Sequence, residues 1–308
     1  MSIIQRIIEK KQSEKSDQEK QQPTNRPGQS HRVDSLQQTN AKRPFSDREV
    51  KSKKGITTKK SAIDSPHSKP VIKLDFKILE KKGYLTPFIS ESQLAEEYRR
   101  IKRPLLVNAF ENHAEIKNGN IILVTSSLPN EGKTFTALNL AMSISMERDK
   151  TVLLVDADLQ KAGLSNQFNL NKVIGLAELL DNEVGDLREI LYETNIDNLR
   201  IIPSGNRKPN SAELLASNDM QLLVQELANR YSDRVIIMDS PPLLARSESS
   251  VLAKLLGQVV VVVEAEQTVQ TVVKEALEQL EECEIVNLVF NKRHNRPGLS
   301  SYSGYYGY

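Results

Sequence analysis

Gly132, Lys133 and Thr134 stand in sequence between an apolar run, Ile121 to Thr125, and a helix-favouring run, Phe135 to Met146. A Lys in that place offers a point charge to the outer phosphates of a nucleotide, and a Thr hydroxyl beside it can ligate Mg²⁺. The loop before them, Ser127 to Glu131, supplies backbone N–H groups, and the start of the helix adds the positive end of its dipole. Strand, loop, Gly-Lys-Thr and helix is the layout of a phosphate-binding P-loop, except that Ser127 occupies the place of the usual first Gly. The residues expected to touch a bound nucleotide here are Ser127, Pro129, Asn130, Glu131, Gly132, Lys133, Thr134 and Phe135. The plainer alternative is a Gly-Lys-Thr helix start with no nucleotide.

Two further stretches weigh against that alternative. Thr151 to Asp158 is a β-branched and Leu run ending in Asp156 and Asp158. Such a run predicts a parallel strand buried on both faces. Its carboxylates then fall at the carboxyl end, where open α/β sheets bind ligands, and residues two apart in an extended chain share a side. Two such neighbours repel, so a Mg²⁺ or a basic group is expected between them. Arg234 to Asp239 is a second apolar strand ending in an acid, and Pro241-Pro242 stops it. Asp239 is thus placed to hold the water shell of a Mg²⁺ beside the Thr134 hydroxyl.

These groups need a scaffold. Likeness of period predicts strands over 120–125, 151–156, 199–203, 234–239, 259–263 and 284–290, and helices over 133–147, 211–216, 218–230, 247–255 and 269–281. Their alternation implies an α/β fold with a mostly parallel sheet and helices on both faces. Ser92 to Leu106 reads as another helix, with Leu94, Tyr98, Ile101 and Leu105 as its apolar stripe and Glu97, Arg100 and Arg103 on a charged face.

Three segments are expected: a basic, mostly disordered region over 1–70, an α/β domain over 71–294, and a flexible tail over 295–308. The net charge of +2 hides an asymmetry, because residues 1–70 hold 16 Lys+Arg against 8 Asp+Glu. Few large apolar residues fall in 11–69, too few to offset chain entropy. Ile3, Ile4, Ile7 and Ile8 have helical spacing, so residues 1–10 read either as a docking helix or as a frayed terminus. One cysteine, Cys283, gives no disulfide framework and is expected to be a buried structural thiol. No signal peptide or membrane-length apolar run is seen, so the chain is expected in the cytoplasm. The tail carries Tyr302, Tyr305, Tyr306 and Tyr308 among Gly and Ser. Tyrosines usually go where their rings are buried. On a flexible terminus they read as a docking strip or as accessible phenol nucleophiles.

The P-loop without its first Gly, the pair Asp156/Asp158, Asp239 followed by Ser-Pro-Pro and the terminal tyrosines together resemble a bacterial tyrosine autokinase, the BY-kinase type associated with exopolysaccharide export. The resemblance covers residues 71–308, and the segment Glu96 to Phe110 is similar to a soluble branch found with exosortase-linked polysaccharide loci. In that family the strand ending at Asp158 continues with an Arg two residues on, where this chain has Gln160-Lys161. Ser204 to Leu215 is similar to the family's Pro-Asn-Pro-x-Glu-Leu-Leu segment, with Ser211 replacing the second Pro.

The resemblance implies ATP and Mg²⁺ as cofactors and four catalytic residues, Lys133, Asp156, Asp158 and Asp239. Lys133 would neutralise the β/γ-phosphates, and Thr134, Asp158 and Asp239 would hold the metal. Asp156 would orient or deprotonate the tyrosine hydroxyl, and Asn291 would touch adenine. Tyr302, Tyr305, Tyr306 and Tyr308 would accept phosphate in trans within a ring, with Glu97, Arg100 and Arg103 as its oligomerisation element. The implied partner is a membrane polysaccharide chain-length-determinant protein that activates the kinase and holds it at the inner face of the membrane; no nucleic acid is implied. The rivals are a partitioning or septum-positioning ATPase and a non-catalytic nucleotide-gated scaffold. The first carries an extra Lys near the start of its P-loop, and residues 125–131 contain none.

Overall fold

The computed structural model describes residues 71–111, 115–170, 172–230 and 233–293. The segment 1–70 and the tail with its four tyrosines lie outside the described residues. Seven strands form one sheet: β1 (Ile121–Ser126), β2 (Thr151–Asp156), β3 (Tyr192–Glu193), β4 (Leu199–Ile202), β5 (Arg234–Asp239), β6 (Gln258–Glu264) and β7 (Val286–Asn291). Their order is β3-β4-β2-β5-β1-β6-β7, and every pairing is parallel except β3 with β4.

Continuous apolar runs are explained by cover on both faces. Ile121, Leu123, Leu153, Val155, Ile236, Met238, Val259 and Val261 face one core, with Met220, Leu223, Val224 and Leu227 of the helix Asn218–Arg230. Their neighbours Ile122, Val124, Val152, Leu154, Val235, Ile237, Val260 and Val262 face the other. The two-residue period of a strand divides them in this way. The helix Lys133–Ser145 fills the second core with Ala137, Leu138, Leu140, Ala141, Met142 and Ile144. Thr136, Asn139, Ser143 and Ser145 are buried with the apolar residues, so the helix has almost no solvent face.

Residues 71–111 wrap that helix. Ser92 accepts from the Ala95 N–H and caps the helix Gln93–Leu106. Tyr98 and Leu105 are buried as predicted, and Lys102 joins them, donating to the Ser143 carbonyl at 2.7 Å and pairing with Glu147 at 2.5 Å. Leu85 N–H donates to Asn139 Oδ1 at 2.7 Å, and the rings of Tyr84 and Phe135 lie 4.9 Å apart. Pro104 lies within the last turn and a π-helical turn, Val107–Glu111, follows. Glu97, Arg100 and Arg103 are exposed on the opposite face.

Register places the chemistry. Val124 and Asp156 both lie opposite Asp239, so the carboxyl ends of β1, β2 and β5 meet at one level. Among the described residues no helix is long and apolar enough to cross a membrane. Cys283 is buried and its thiol faces the Ala253 carbonyl.

Candidate active site

The loop between β1 and the helix Lys133–Ser145 is short of its first Gly but not of its shape. Asn130 and Gly132 both take positive φ, 69° and 99°. For Gly132 this is a conformation that side chains rarely adopt. A Cβ on Gly132 would also lie 2.0 Å from Asn291 Nδ2. Among the described residues no acceptor meets the backbone N–H groups of Asn130, Glu131, Gly132, Lys133 and Thr134. Five consecutive free donors at a helix start form an anion site.

Lys133 is buried, with 8% of its side chain exposed, and its Nζ stands 3.1 Å from Asp158 Oδ2 and 3.7 Å from Asp239 Oδ1. Burial alone would lower its pKa, but Asp239 and Asp158 outweigh it and hold the ammonium charged. Thr134 Oγ1 donates to Asp239 Oδ2 at 2.7 Å. Asp239 Oδ1 is buried without a hydrogen-bond partner. Burial lifts the Asp239 pKa, against the pull of Lys133 and Thr134. Asp156 is pushed up to about 7 by burial, then by Asp239, although Ser165 opposes the shift.

One ammonium thus serves three buried carboxylates, and a second cation is wanted. Thr134 and Asp239 fit Mg²⁺: a hydroxyl and an orphaned carboxylate oxygen lie side by side next to free phosphate-binding N–H groups. Among the described residues no three carboxylate, imidazole or thiol groups converge as a self-sufficient metal cage. A nucleotide-bound Mg²⁺ does not require one, because phosphates and waters complete its shell.

The two strand-end aspartates do not share an orientation. β2 ends at Asp156, so strand alternation does not extend to Asp158. Asp156 Oδ2 accepts from the Ser165 N–H and hydroxyl, both at 2.7 Å, and its Oδ1 accepts from the Asp158 N–H at 3.2 Å. It is fully buried and is not among the residues that wall the cleft. Asp158 lines the cleft, a space of about 320 Å³ walled also by Pro129, Asn130, Lys133, Lys161, Pro241 and Arg246.

Asn291 is at the P-loop, where its Nδ2 donates to the Glu131 carbonyl at 2.9 Å. Several roles here are not marked in the sequence, where Glu131 reads only as a nucleotide contact. The Glu131 carboxylate, in a residue only 2% exposed, accepts from the Leu128 N–H at 2.6 Å and from Thr268, and so folds inward to shape the loop. Ser165 holds Asp156, and Lys161 and Arg246 add positive charge to the cleft wall. Lys161 directly follows the Asp158 stretch, which is the one signal that could have found it.

Gly132→Ala is expected to lower ATP affinity by at least about 10-fold, because loop strain and the clash with Asn291 disturb the donor row together. Gly83→Ala, at φ 79° but in open space, is the control for backbone strain alone. Titration with a fluorescent ATP analogue reads both. Equal affinities would refute the crowding at Gly132.

Residues 119–291 match the AAA domain family. CapB of Staphylococcus aureus is 30% identical over 234 residues, covering 74% of this chain and 98% of CapB. Tyrosine-protein kinase YwqD of Bacillus subtilis (strain 168) is 32% identical over 174 residues, 56% of this chain and 70% of YwqD. The BceF tyrosine kinase domain superposes with a TM-score of 0.56 at 27% identity, covering 69% of this chain and 86% of that one. With its sheet, its loop and its sequence in agreement with these relatives, the chain belongs to the bacterial tyrosine-kinase family, the BY-kinases, as a P-loop ATPase.

Proposed function

We propose that the chain is an ATP- and Mg²⁺-dependent autokinase that phosphorylates its own C-terminal cluster, Tyr302, Tyr305, Tyr306 and Tyr308, from one subunit to the next in a ring. The observation that carries the reading is the row of free N–H groups from Asn130 to Thr134 beside Lys133. Bound there, Mg²⁺ would draw charge from the β- and γ-phosphoryl oxygens. The N–H row grips the phosphates and fixes their direction. Lys133 neutralises the charge that grows on them, and Thr134 and Asp239 hold the metal's place. Asp158 faces the cleft, so it takes the position beside the acceptor hydroxyl. Asp156, held by Ser165 and bonded to the Asp158 N–H, orients that stretch from behind. Phosphoryl transfer asks for positioning and electrostatics more than for covalent help, so this small set suffices.

The kinase unit on this reading spans 71–294, with 1–70 and 295–308 as appendages. The exposed Glu97, Arg100 and Arg103 form the contact between subunits, and the activating partner is a membrane polysaccharide chain-length-determinant protein at the inner face of the membrane. Purified protein incubated with ATP and Mg²⁺ should gain phosphotyrosine, and mass spectrometry should place it in 302–308. Replacing the four tail tyrosines with Phe should remove most of the label and spare ATP binding. Phosphates found mainly on Tyr84, Tyr98, Tyr192 or Tyr231 would contradict the tail as acceptor. Light scattering should give a ring for unphosphorylated protein with ATP, weakened by Arg100→Ala with Arg103→Ala. An active monomer whose rate per subunit ignores concentration would sink transfer between subunits.

A further inference from the structure

The P-loop's free N–H row has a counterpart in its carbonyls. Ser126 and Ser127 carbonyls accept from Leu243 and Leu244 N–H, the Leu128 carbonyl from Ser126 Oγ, and the Gly132 carbonyl from Thr136 N–H. The carbonyls of Asn130 and Glu131 have only side-chain donors, Lys292 Nζ at 2.7 Å and Asn291 Nδ2 at 2.9 Å. Both donors come from the exit of β7. Lys292 Nζ is held in turn by Glu264 Oε2 at 2.9 Å, at the end of β6. Lys292 takes a positive φ of 57°, a conformation uncommon outside Gly. The Glu131 carboxylate completes the clamp by accepting from the Glu264 N–H at 3.3 Å.

We propose that Lys292 is a positioning residue for phosphoryl transfer: by holding the Asn130 carbonyl against the end of β6, it keeps the loop's N–H groups turned toward the phosphates. The inference rests on the reading of this loop as the nucleotide cradle. A peptide unit is planar, so fixing the carbonyl of one residue fixes the N–H of the next on its opposite side. The Asn130 carbonyl therefore sets the Glu131 N–H, and the Glu131 carbonyl sets that of Gly132. Lys292 is 45% exposed in its side chain, and an ion pair so open to water adds little to global stability. Its effect should fall on the loop and not on the fold.

Lys292→Met keeps the stem and removes the donor. It should lower kcat for ATP-dependent tyrosine phosphorylation on the order of 10-fold, raise KM for ATP by a smaller factor, and leave the melting temperature unchanged. Lys292→Arg should restore most of the rate, since a guanidinium can reach a carbonyl and a carboxylate together. Wild-type kcat in Lys292→Met would overturn the proposal. So would a loss matched by a lower melting temperature that Arg fails to repair. Direct ATP titration of the same proteins separates the two readings. Wild type that binds ATP without phosphorylating would sink the kinase assignment alone, with the clamp still read from weaker binding by Lys292→Met. Equal affinity and equal rate in wild type and Lys292→Met would sink the clamp alone.

Discussion

Lys133→Ala should abolish measurable autophosphorylation, with a loss on the order of 10³-fold or more. The size follows from where the ammonium sits. Among the described residues it is the cation paired with Asp158 and Asp239, and it is a buried positive charge next to the free N–H row. In a site shielded from water a fixed charge acts on the transferring phosphoryl group with little screening. The same burial makes the variant less stable, because removing one member of a buried ion pair leaves the other uncompensated, a cost of about 3–5 kcal/mol at most. Asp239, already lifted by burial, can take a proton and relieve part of it. The variant should therefore melt earlier yet remain folded, and Mg²⁺ should recover some of the lost stability. Circular dichroism checks the fold and a phosphotyrosine immunoassay checks the chemistry. Undiminished phosphotyrosine in a folded Lys133→Ala protein would remove the P-loop assignment.

Much of this site was legible because it is local. Strand β1, the loop and the helix Lys133–Ser145 are contiguous, and their hydrophobic pattern changes period where Gly132 intervenes. Asp156 and Asp239 each terminate an apolar strand, which is a signal within six residues. The strand order was not legible. It depends on which helices pack on which face, and no pairing of β1 with β5 and β6 is written in any one segment. Two-residue β3 is too short to have a period, and the helices Gly163–Gln167 and Leu176–Leu180 have hardly more than one turn. The clamp on the P-loop was hidden for the same reason. Lys292 is separated from Asn130 by 162 positions and reads as an ordinary charged residue after a strand. Asp156 was legible as a strand-end acid but not as a buried one, since Ser165, its partner, lies nine residues on in the short helix Gly163–Gln167. Lys102 stood on the predicted buried side of its helix as a polar intruder, and only the fold supplies the Ser143 carbonyl and Glu147 that accept it.

Asp239→Asn should separate function from stability, in opposite directions. Asp239 is fully buried, and burial raises its pKa despite Lys133 and Thr134, so its ionised form is unfavourable in the folded protein without metal. Asp156, pushed up to about 7, shares the burden. Both groups bind a proton more tightly folded than unfolded. Their contribution to stability is therefore full below the ordinary carboxylate pKa of about 4 and is lost as pH climbs through the raised values. Wild-type protein in chelator should thus lose stability between about pH 5 and pH 8, and Asp239→Asn should lose less, because one of the two buried ionisations is gone. At pH 8 the variant should melt at or above wild type. The amide oxygen can still accept from Thr134, and Asp158 at 3.1 Å remains as the partner of Lys133, so the fold should hold. Catalysis has every reason to, since an amide offers Mg²⁺ a neutral oxygen where a carboxylate stood. Phosphorylation should fall about 10²- to 10³-fold, and the Mg²⁺ concentration for half-maximal rate should rise. Thermal melts with chelator and with ATP plus Mg²⁺ test both halves. The ligand pair should raise the wild-type melting temperature and flatten its pH slope, and should do little for Asp239→Asn. A variant less stable than wild type in chelator at pH 8, yet still active with unchanged Mg²⁺ dependence, would show that Asp239 is a structural acid and that the metal is held elsewhere.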